Sequence, residues 1–379
     1  MNILVVTHGR DPASQVPPFV AFQMEAHAKR GNRVRAIVSM PLGKQDPSGK
    51  RCGKSIVREE KNGVEYVYVR YLSASRYGRK HFNAKSFISV LKRHLSDVLR
   101  DFEPDVIHAH TVLINGRVGV WLKEKLGVPL VITTHGSDIR LPIELGWGKL
   151  LREICDKADA VTANSSVLAK DCRKFGMKGE AIPITLGYDS NAEISKVQRI
   201  PKRLIQVCGF VPSKRIDVTL RALRILREED PAYQLVLIGD GPLMGKMKAL
   251  STSLGLSDAV EFMGQQPNAK VLEEMARSVY FVMVSAPEAF GLVYIEAMSQ
   301  GCLVIGTEGE GVTDVVKDGE NGVLLPVDRP DLIAEKIRAL EADPVLRERI
   351  SEAGRNTSSG LTWDRTAETY EELFRKVTA

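Results

Sequence analysis

At 379 residues, with 44% hydrophobic and 26% charged side chains, the chain has the composition of a soluble globular protein and is too long for one ordinary core, so two domains are expected. No apolar run approaches the roughly 18 residues of a membrane span. The start Met1-Asn2-Ile3-Leu4-Val5-Val6 lacks the basic residues and cleavage site of a secretory leader, which points to the cytoplasm. Five cysteines, odd in number and without a Cys-x-x-Cys, argue against a disulfide framework and a zinc site.

Charge divides the chain. Residues 1–190 carry 30 Lys+Arg against 19 Asp+Glu, and the remainder 23 against 28. Apolar runs alternate with amphipathic segments throughout, which predicts parallel sheets covered by helices. Strands are expected at 2–8, 34–40, 64–71, 106–111, 130–135, 160–164 and 181–185. A second set is expected at 204–208, 234–238, 260–263, 281–285, 303–306 and 322–325. The fold class is therefore α/β with two doubly wound, Rossmann-like domains, 1–190 and 191–361, joined through the polar stretch from Gly187 to Glu193. Residues 363–377 have helical periodicity.

In chain order, the turn after the first strand, Thr7-His8-Gly9-Arg10-Asp11-Pro12, offers no Gly-x-Gly-x-x-Gly, which weighs against a dinucleotide-dependent oxidoreductase. From Arg70 to His94, basic residues interleave with Tyr and Phe. That pattern suits an anionic membrane surface, a solvated helix in a basic protein or, last, nucleic acid, for which no motif accompanies the charge. All seven histidines lie in the first domain, and His108, His110 and His135 stand at strand carboxyl ends, where doubly wound folds place ligands. His-x-His has no third metal ligand at an obvious spacing, so packing or hydrogen bonding is the better reading.

In the second half, Lys214 and Arg215 follow the first strand, and Gly239-Asp240-Gly241-Pro242 turns sharply after the next. The run Pro287-Glu288-Ala289-Phe290-Gly291-Leu292-Val293-Tyr294-Ile295-Glu296 puts one glutamate in a loop after a buried strand. The other falls inside the following helix, beyond a first turn whose free amides at Gly291 and Leu292 suit an anion. A ligand with two hydroxyl-rich ends joined by a diphosphate needs this arrangement: carboxylate acceptors at the ends and donors between. Spacing alone also fits two surface glutamates on an amphipathic helix.

The Glu-x7-Glu run, with its internal Phe-Gly and following Ala297, resembles the signature of retaining glycosyltransferases of family 4 with the GT-B fold. Gly239-Asp240-Gly241-Pro242 is similar to a second element of that family, and Thr134-His135-Gly136-Ser137-Asp138 to its active-site loop. The resemblance runs from about residue 2 to 377. It implies two domains facing across a cleft, with residues 362–379 returning to the N-terminal, acceptor-binding domain and a nucleoside-diphosphate sugar held by the second. By resemblance Glu288, His135, Lys214 and Asp138 are catalytic. Glu296, Gly239, Gly241, Phe290, Gly291, Leu292 and Arg215 bind the donor, and Gly9 and His110 lie on the acceptor side. It further implies transfer of a hexose with retained configuration to a saccharide or lipid-linked acceptor, in cell-surface polysaccharide or glycolipid synthesis. No cofactor and no metal are called for, since no Asp-x-Asp occurs. One departure stands out: Gly209 occupies the position where the family has an arginine before Lys214. A GT-B-fold epimerase and a non-catalytic sugar-nucleotide-binding protein share these features.

Overall fold

A computed structural model describes residues 1–9, 16–42, 55–73, 80–188 and 197–379. They form two compact units. Unit 1 is Met1–Gly187 with Trp363–Ala379, and unit 2 is Tyr188–Thr362. The stretch 189–193 that the sequence suggests as a linker lies outside the described residues, as do Arg76 and Arg79 of the basic segment.

Unit 1 is built on an eight-stranded sheet: β1 Asn2–His8, β2 Arg33–Pro41, β3 Ile56–Lys61, β4 Val64–Tyr71, β5 Val106–His110, β6 Leu130–Thr134, β7 Ala160–Ala163 and β8 Ile182–Pro183. Their order is β3-β4-β2-β1-β5-β6-β7-β8. All neighbours pair in parallel except β3, which lies antiparallel to β4. Buried β-branched and aliphatic side chains on both faces explain the central strands. β3 escapes the sequence reading because Ile56-Val57-Arg58-Glu59-Glu60-Lys61 has no sustained apolar run. It is a half-exposed edge strand, and Arg58 ties it to Glu65 of β4. β8 is shorter than expected, since Pro183 has no N–H to donate to a ladder.

Unit 2 carries a six-stranded parallel sheet: β9 Arg203–Val207, β10 Gln234–Ile238, β11 Val260–Gly264, β12 Tyr280–Val282, β13 Leu303–Thr307 and β14 Val323–Leu325, in the order β11-β10-β9-β12-β13-β14. β12 ends three residues before its expected limit. Met283 still donates to the Ile305 carbonyl at 3.0 Å, after which the chain leaves the sheet.

Each sheet reverses its strand order once, at β1 between β2 and β5 in unit 1 and at β9 between β10 and β12 in unit 2. Diverging connections open a crevice outside the strand carboxyl ends at such a point. In unit 1 it is bordered by His8, Gly9, His110 and Thr111; in unit 2, by the chain after Val207 and after Val282.

The helix Trp363–Thr378 belongs to unit 1. Tyr370 and Phe374 are fully buried against the core containing Ile3, Val5, Val106 and Val131. Burying a side chain such as Phe374 stabilises by about 1.5–3 kcal/mol. Polar anchors flank this seam: Glu371 accepts from Asn32 Nδ2 at 2.7 Å and from Arg30 Nε at 3.1 Å, beside buried His27. Among the described residues no helix is long and apolar enough to cross a membrane.

Candidate functional site

In unit 2 the site begins where β9 and β12 end. The chain after β9 makes a single tight turn, Pro212–Lys214, which Gln206 holds by donating to the Lys214 carbonyl at 2.8 Å. After β12, Ser285 closes the buried run and its neighbour Ala286 donates to the Ser213 carbonyl at 2.9 Å, fastening the two loops together. The Lys214 ammonium therefore meets the Glu288 carboxylate at 2.5 Å, across 74 residues of sequence. Ser285 Oγ donates to the same carboxylate oxygen at 2.9 Å, and the Ala289 amide to the other at 3.1 Å.

Glu288 is 9% exposed. Burial alone would raise its pKa, but the Lys214 charge and these three donors outweigh it and hold the carboxyl below its ordinary value. The backbone of Glu288 is clamped as well, since its amide donates to the Glu310 carboxylate at 2.7 Å and its carbonyl accepts from the Gly311 amide at 3.2 Å.

Gly291 opens the helix Leu292–Ser299 at φ +84°, with no side-chain cap, and a Cβ there would lie 2.5 Å from the Tyr294 ring. The helix thus starts immediately beside Glu288 with its first amides uncovered by any side chain. Glu296, in the middle of that helix, is half-buried, and burial raises its carboxyl pKa. Among the described residues its carboxylate has neither hydrogen bond nor ion pair.

Gly239 and Gly241 lie on the neighbouring loop. Phe210 donates to the Asp240 carbonyl at 2.9 Å and accepts from the Leu243 amide at 3.0 Å, so this loop runs backbone to backbone with the chain after β9. Gly239, at φ +130°, allows that approach: a Cβ would fall 1.9 Å from the Cys208 carbonyl oxygen. Phe290 is buried, so its side chain belongs to the packing around the loop and does not face solvent. Arg215 does not join the Lys214–Glu288 pair. It takes a left-handed conformation and sits 3.5 Å from Asp328.

Unit 1 assembles a site of different character. The Asn164 side-chain amide donates to His135 Nδ1 at 2.8 Å, which leaves His135 Nε2–H to donate to His110 Nδ1 at 3.1 Å. The buried Nε2 of His110 is then without an acceptor. The two imidazoles are stacked, 5.3 Å apart, and Phe19 packs against His135 at 4.9 Å. Burial, reinforced by neighbouring histidines, pushes the His135 pKa down to about 3 and that of His110 well below its ordinary value, so both are neutral at physiological pH.

Asp138 secures the loop after β6. One oxygen accepts the His135 amide at 2.8 Å and the other the Val112 amide at 3.2 Å. Asn115 donates to the His110 carbonyl at 2.7 Å and to Thr111 Oγ1 at 3.1 Å, bracing Thr111 at φ +75°. A non-glycine residue there costs on the order of 1–3 kcal/mol. These elements enclose a pocket of about 300 Å³ lined by His8, Gly9, Tyr71, Thr111, Asn115 and Asp138.

Two sequence profiles account for nearly the whole chain: Glycosyltransferase Family 4 over residues 20–192 and Glycosyl transferases group 1 over residues 190–357. The chain belongs to glycosyltransferase family 4. This glycosyltransferase is 29% identical to an uncharacterized glycosyltransferase of Methanocaldococcus jannaschii, over 78% of its own length and 83% of that protein. It is 26% identical to the N-acetyl-alpha-D-glucosaminyl L-malate synthase of Bacillus anthracis, over 77% and 79%. With the D-inositol 3-phosphate glycosyltransferase of Nocardiopsis dassonvillei it shares 28% identity, over 83% and 81%. In fold it matches the sucrose-phosphate synthase of Thermosynechococcus elongatus, with a TM-score of 0.78 at 21% identity over 99% of this chain and 98% of the other. Anabaena HepE in complex with UDP and glucose matches with a TM-score of 0.74 at 20% identity, over 99% of each. The two Rossmann-like sheets of this glycosyltransferase are those of the GT-B fold.

Five residues that gather at these sites escape the sequence reading: Gln206, Ser285, Glu310, Asn115 and Asn164. Ser285 and Asn164 did carry a signal, as polar residues ending otherwise apolar strand runs. For Glu310 nothing local marks the side chain as the acceptor for a distant amide.

Proposed function

We propose that this glycosyltransferase moves a hexose from a nucleoside-diphosphate donor to an acceptor hydroxyl with retained anomeric configuration. Unit 2 holds the donor. The observation that carries this reading is the Lys214–Glu288 pair set beside the uncapped start of the helix Leu292–Ser299. A cation and exposed amides converge there on one point, as a diphosphate requires. Glu288 turns hydroxyl-accepting oxygens toward the transferred sugar. Glu296, a carboxylate without a partner among the described residues, takes the ribose hydroxyls, and the close-packed loop bearing Gly239 and Gly241 lies alongside the donor.

In the reaction the bond from the anomeric carbon to the departing phosphate oxygen breaks, and the acceptor oxygen bonds to the same face of that carbon. The acceptor proton passes to the departing phosphate. Charge developing on the diphosphate is met by Lys214 and by the amides of Gly291 and Leu292. Unit 1 binds the acceptor in the pocket beside Gly9 and Asp138. Both ring nitrogens of His135 are engaged, so it offers the sugar its main chain and a rigid, uncharged ring face; His110 and Asp138 fix that ring and its loop. Lys214 and the helix amides meet the phosphate charge, so transfer proceeds without a metal. The acceptor is a saccharide or lipid-linked sugar of cell-surface polysaccharide or glycolipid synthesis.

UDP and glucose, present in the HepE structure, set the first donor to test. Purified protein is mixed with UDP-, GDP- and ADP-hexoses, with and without lipid-linked acceptors, and nucleotide release and product configuration are followed. Acceptor-dependent release that persists in EDTA supports the reading. An inverted product, or activity abolished by EDTA and restored by manganese, overturns the corresponding part.

A further inference from the structure

On unit 1, next to the acceptor pocket, lies a second concavity of about 580 Å³. Its rim carries three of the most exposed apolar side chains in the described structure: Leu42 at 54%, Leu72 at 58% and Phe82 at 45%. They are not on loose ends. Leu42 donates its amide to the Tyr71 carbonyl at 2.8 Å, extending the β2–β4 pairing, and Phe82 sits in the first turn of the helix Lys80–Leu99.

The outward face of that helix presents Phe82, Lys85, Ser89, Lys92 and Arg93, which successive turns bring to one side, while Ala84, Phe87 and Leu91 are buried on the other. Among the described residues, Lys85, Lys92 and Arg93 have no carboxylate partner, and no acidic residue lines the groove. Three bare apolar side chains ringed by unpaired cations match a surface that offers both hydrocarbon and negative charge. Tyr71 is a wall of this groove and also of the acceptor pocket.

We propose that this face docks on an anionic lipid bilayer, with Leu42, Leu72 and Phe82 entering the interface and Lys85, Lys92 and Arg93 lying on the headgroups. Docked in this way, the acceptor pocket stands one side chain from the membrane, and lipid-linked acceptors reach it without leaving the bilayer. The docking needs neither donor nor acceptor, so it stands or falls apart from the transfer reaction.

The test is co-sedimentation of the full chain with vesicles of phosphatidylcholine alone and of phosphatidylcholine with phosphatidylglycerol, without any sugar. The parent protein is expected to bind the anionic vesicles, and to release as salt rises from 0.05 to 0.3 M, because exposed charges are screened over about 10 Å at 0.1 M. K85Q/R93Q should weaken that binding roughly thirtyfold, about fivefold for each basic side chain. L72S/F82S should weaken it to a similar extent. Both pairs are exposed, and an unchanged circular dichroism melt shows that the fold is kept. Equal binding to neutral and anionic vesicles overturns the proposal. So does an L72S/F82S variant that binds like the parent, or a single-stranded oligonucleotide that displaces the vesicles while depending on the cations alone.

Discussion

The two units answer the same topology with opposite electrostatics. At the crevice of unit 2 a carboxylate is kept charged: Glu288 lies in the interior, yet Lys214, Ser285 and the Ala289 amide stabilise its anion. At the crevice of unit 1 the imidazoles are kept neutral. His110 and His135 are stripped of protons by burial, and Asp138 uses its oxygens on backbone amides. A diphosphate calls for fixed charge and oriented donors, whereas a hydroxyl about to become a nucleophile is best met by groups that neither protonate nor repel it. One fold repeated in one chain thus specialises by what it does to its ionisable groups.

The contrast breaks most visibly at Glu288. Replacing it by Gln keeps the shape but removes the charge, and kcat is expected to fall by about 10²–10³ with a much smaller change in nucleotide affinity. Steady-state kinetics beside calorimetry with the free nucleoside diphosphate measures both. Unchanged kcat would show that the buried charge serves only the fold.

Next comes acid. A histidine whose folded pKa lies below its unfolded value contributes no penalty above about pH 6.5 and destabilises progressively as pH falls below it, because only the unfolded chain takes up the proton. At pH 5.5 this amounts to roughly 1 kcal/mol for His135, whose folded pKa lies at about 3, and buried His108 and His110 add contributions of the same sign. Unit 2 has no histidine. Its lowered carboxyls, Glu288 and Glu274, favour folding above the ordinary carboxylate range and lose that contribution only as pH drops through and below about 4.3. Hydrogen exchange resolved by peptide should show unit 1 loosening between pH 7 and 5.5 while unit 2 stays protected. Simultaneous loosening would contradict the assignment of neutral histidines.

Lys214→Ala should raise the donor KM roughly thirtyfold, the loss of one charge-assisted contact of about 2 kcal/mol. Combined with Glu288→Gln it should add less than its separate effect, since the two side chains form one pair. Full additivity would mean that they act independently.

The smallest effect is expected at Glu296. Gln there removes a half-buried charge that has no partner among the described residues, so the free protein should melt about 1–3 °C higher while nucleotide binding weakens about tenfold. A lower melting temperature would reveal a structural partner for this carboxylate.

Much of the fold was legible because parallel strands buried on both faces are written as apolar runs, and eleven of the fourteen strands among the described residues match the expected runs to within one residue at each end. β3 has none, and β8 is cut short by Pro183. The site was legible where a residue type states its own purpose, as in Glu288 near a helix start or the glycines of the 239–241 turn. It was illegible where the purpose depends on a distant partner. Glu310 reaches the site through the Glu288 amide, and Asn164 through His135. Arg215 shows the converse: its position in sequence suggested a second phosphate cation, and the left-handed turn sends it to Asp328.

The placement of the helix Trp363–Thr378 has a consequence for how the protein is made. Unit 2 is one uninterrupted segment, but unit 1 is written in two pieces with the whole of unit 2 between them. During synthesis the strands β1–β8 emerge first and must wait, their seam around Ile3, Val5 and Val106 uncovered, until Tyr370 and Phe374 arrive. The unit begun first is finished last.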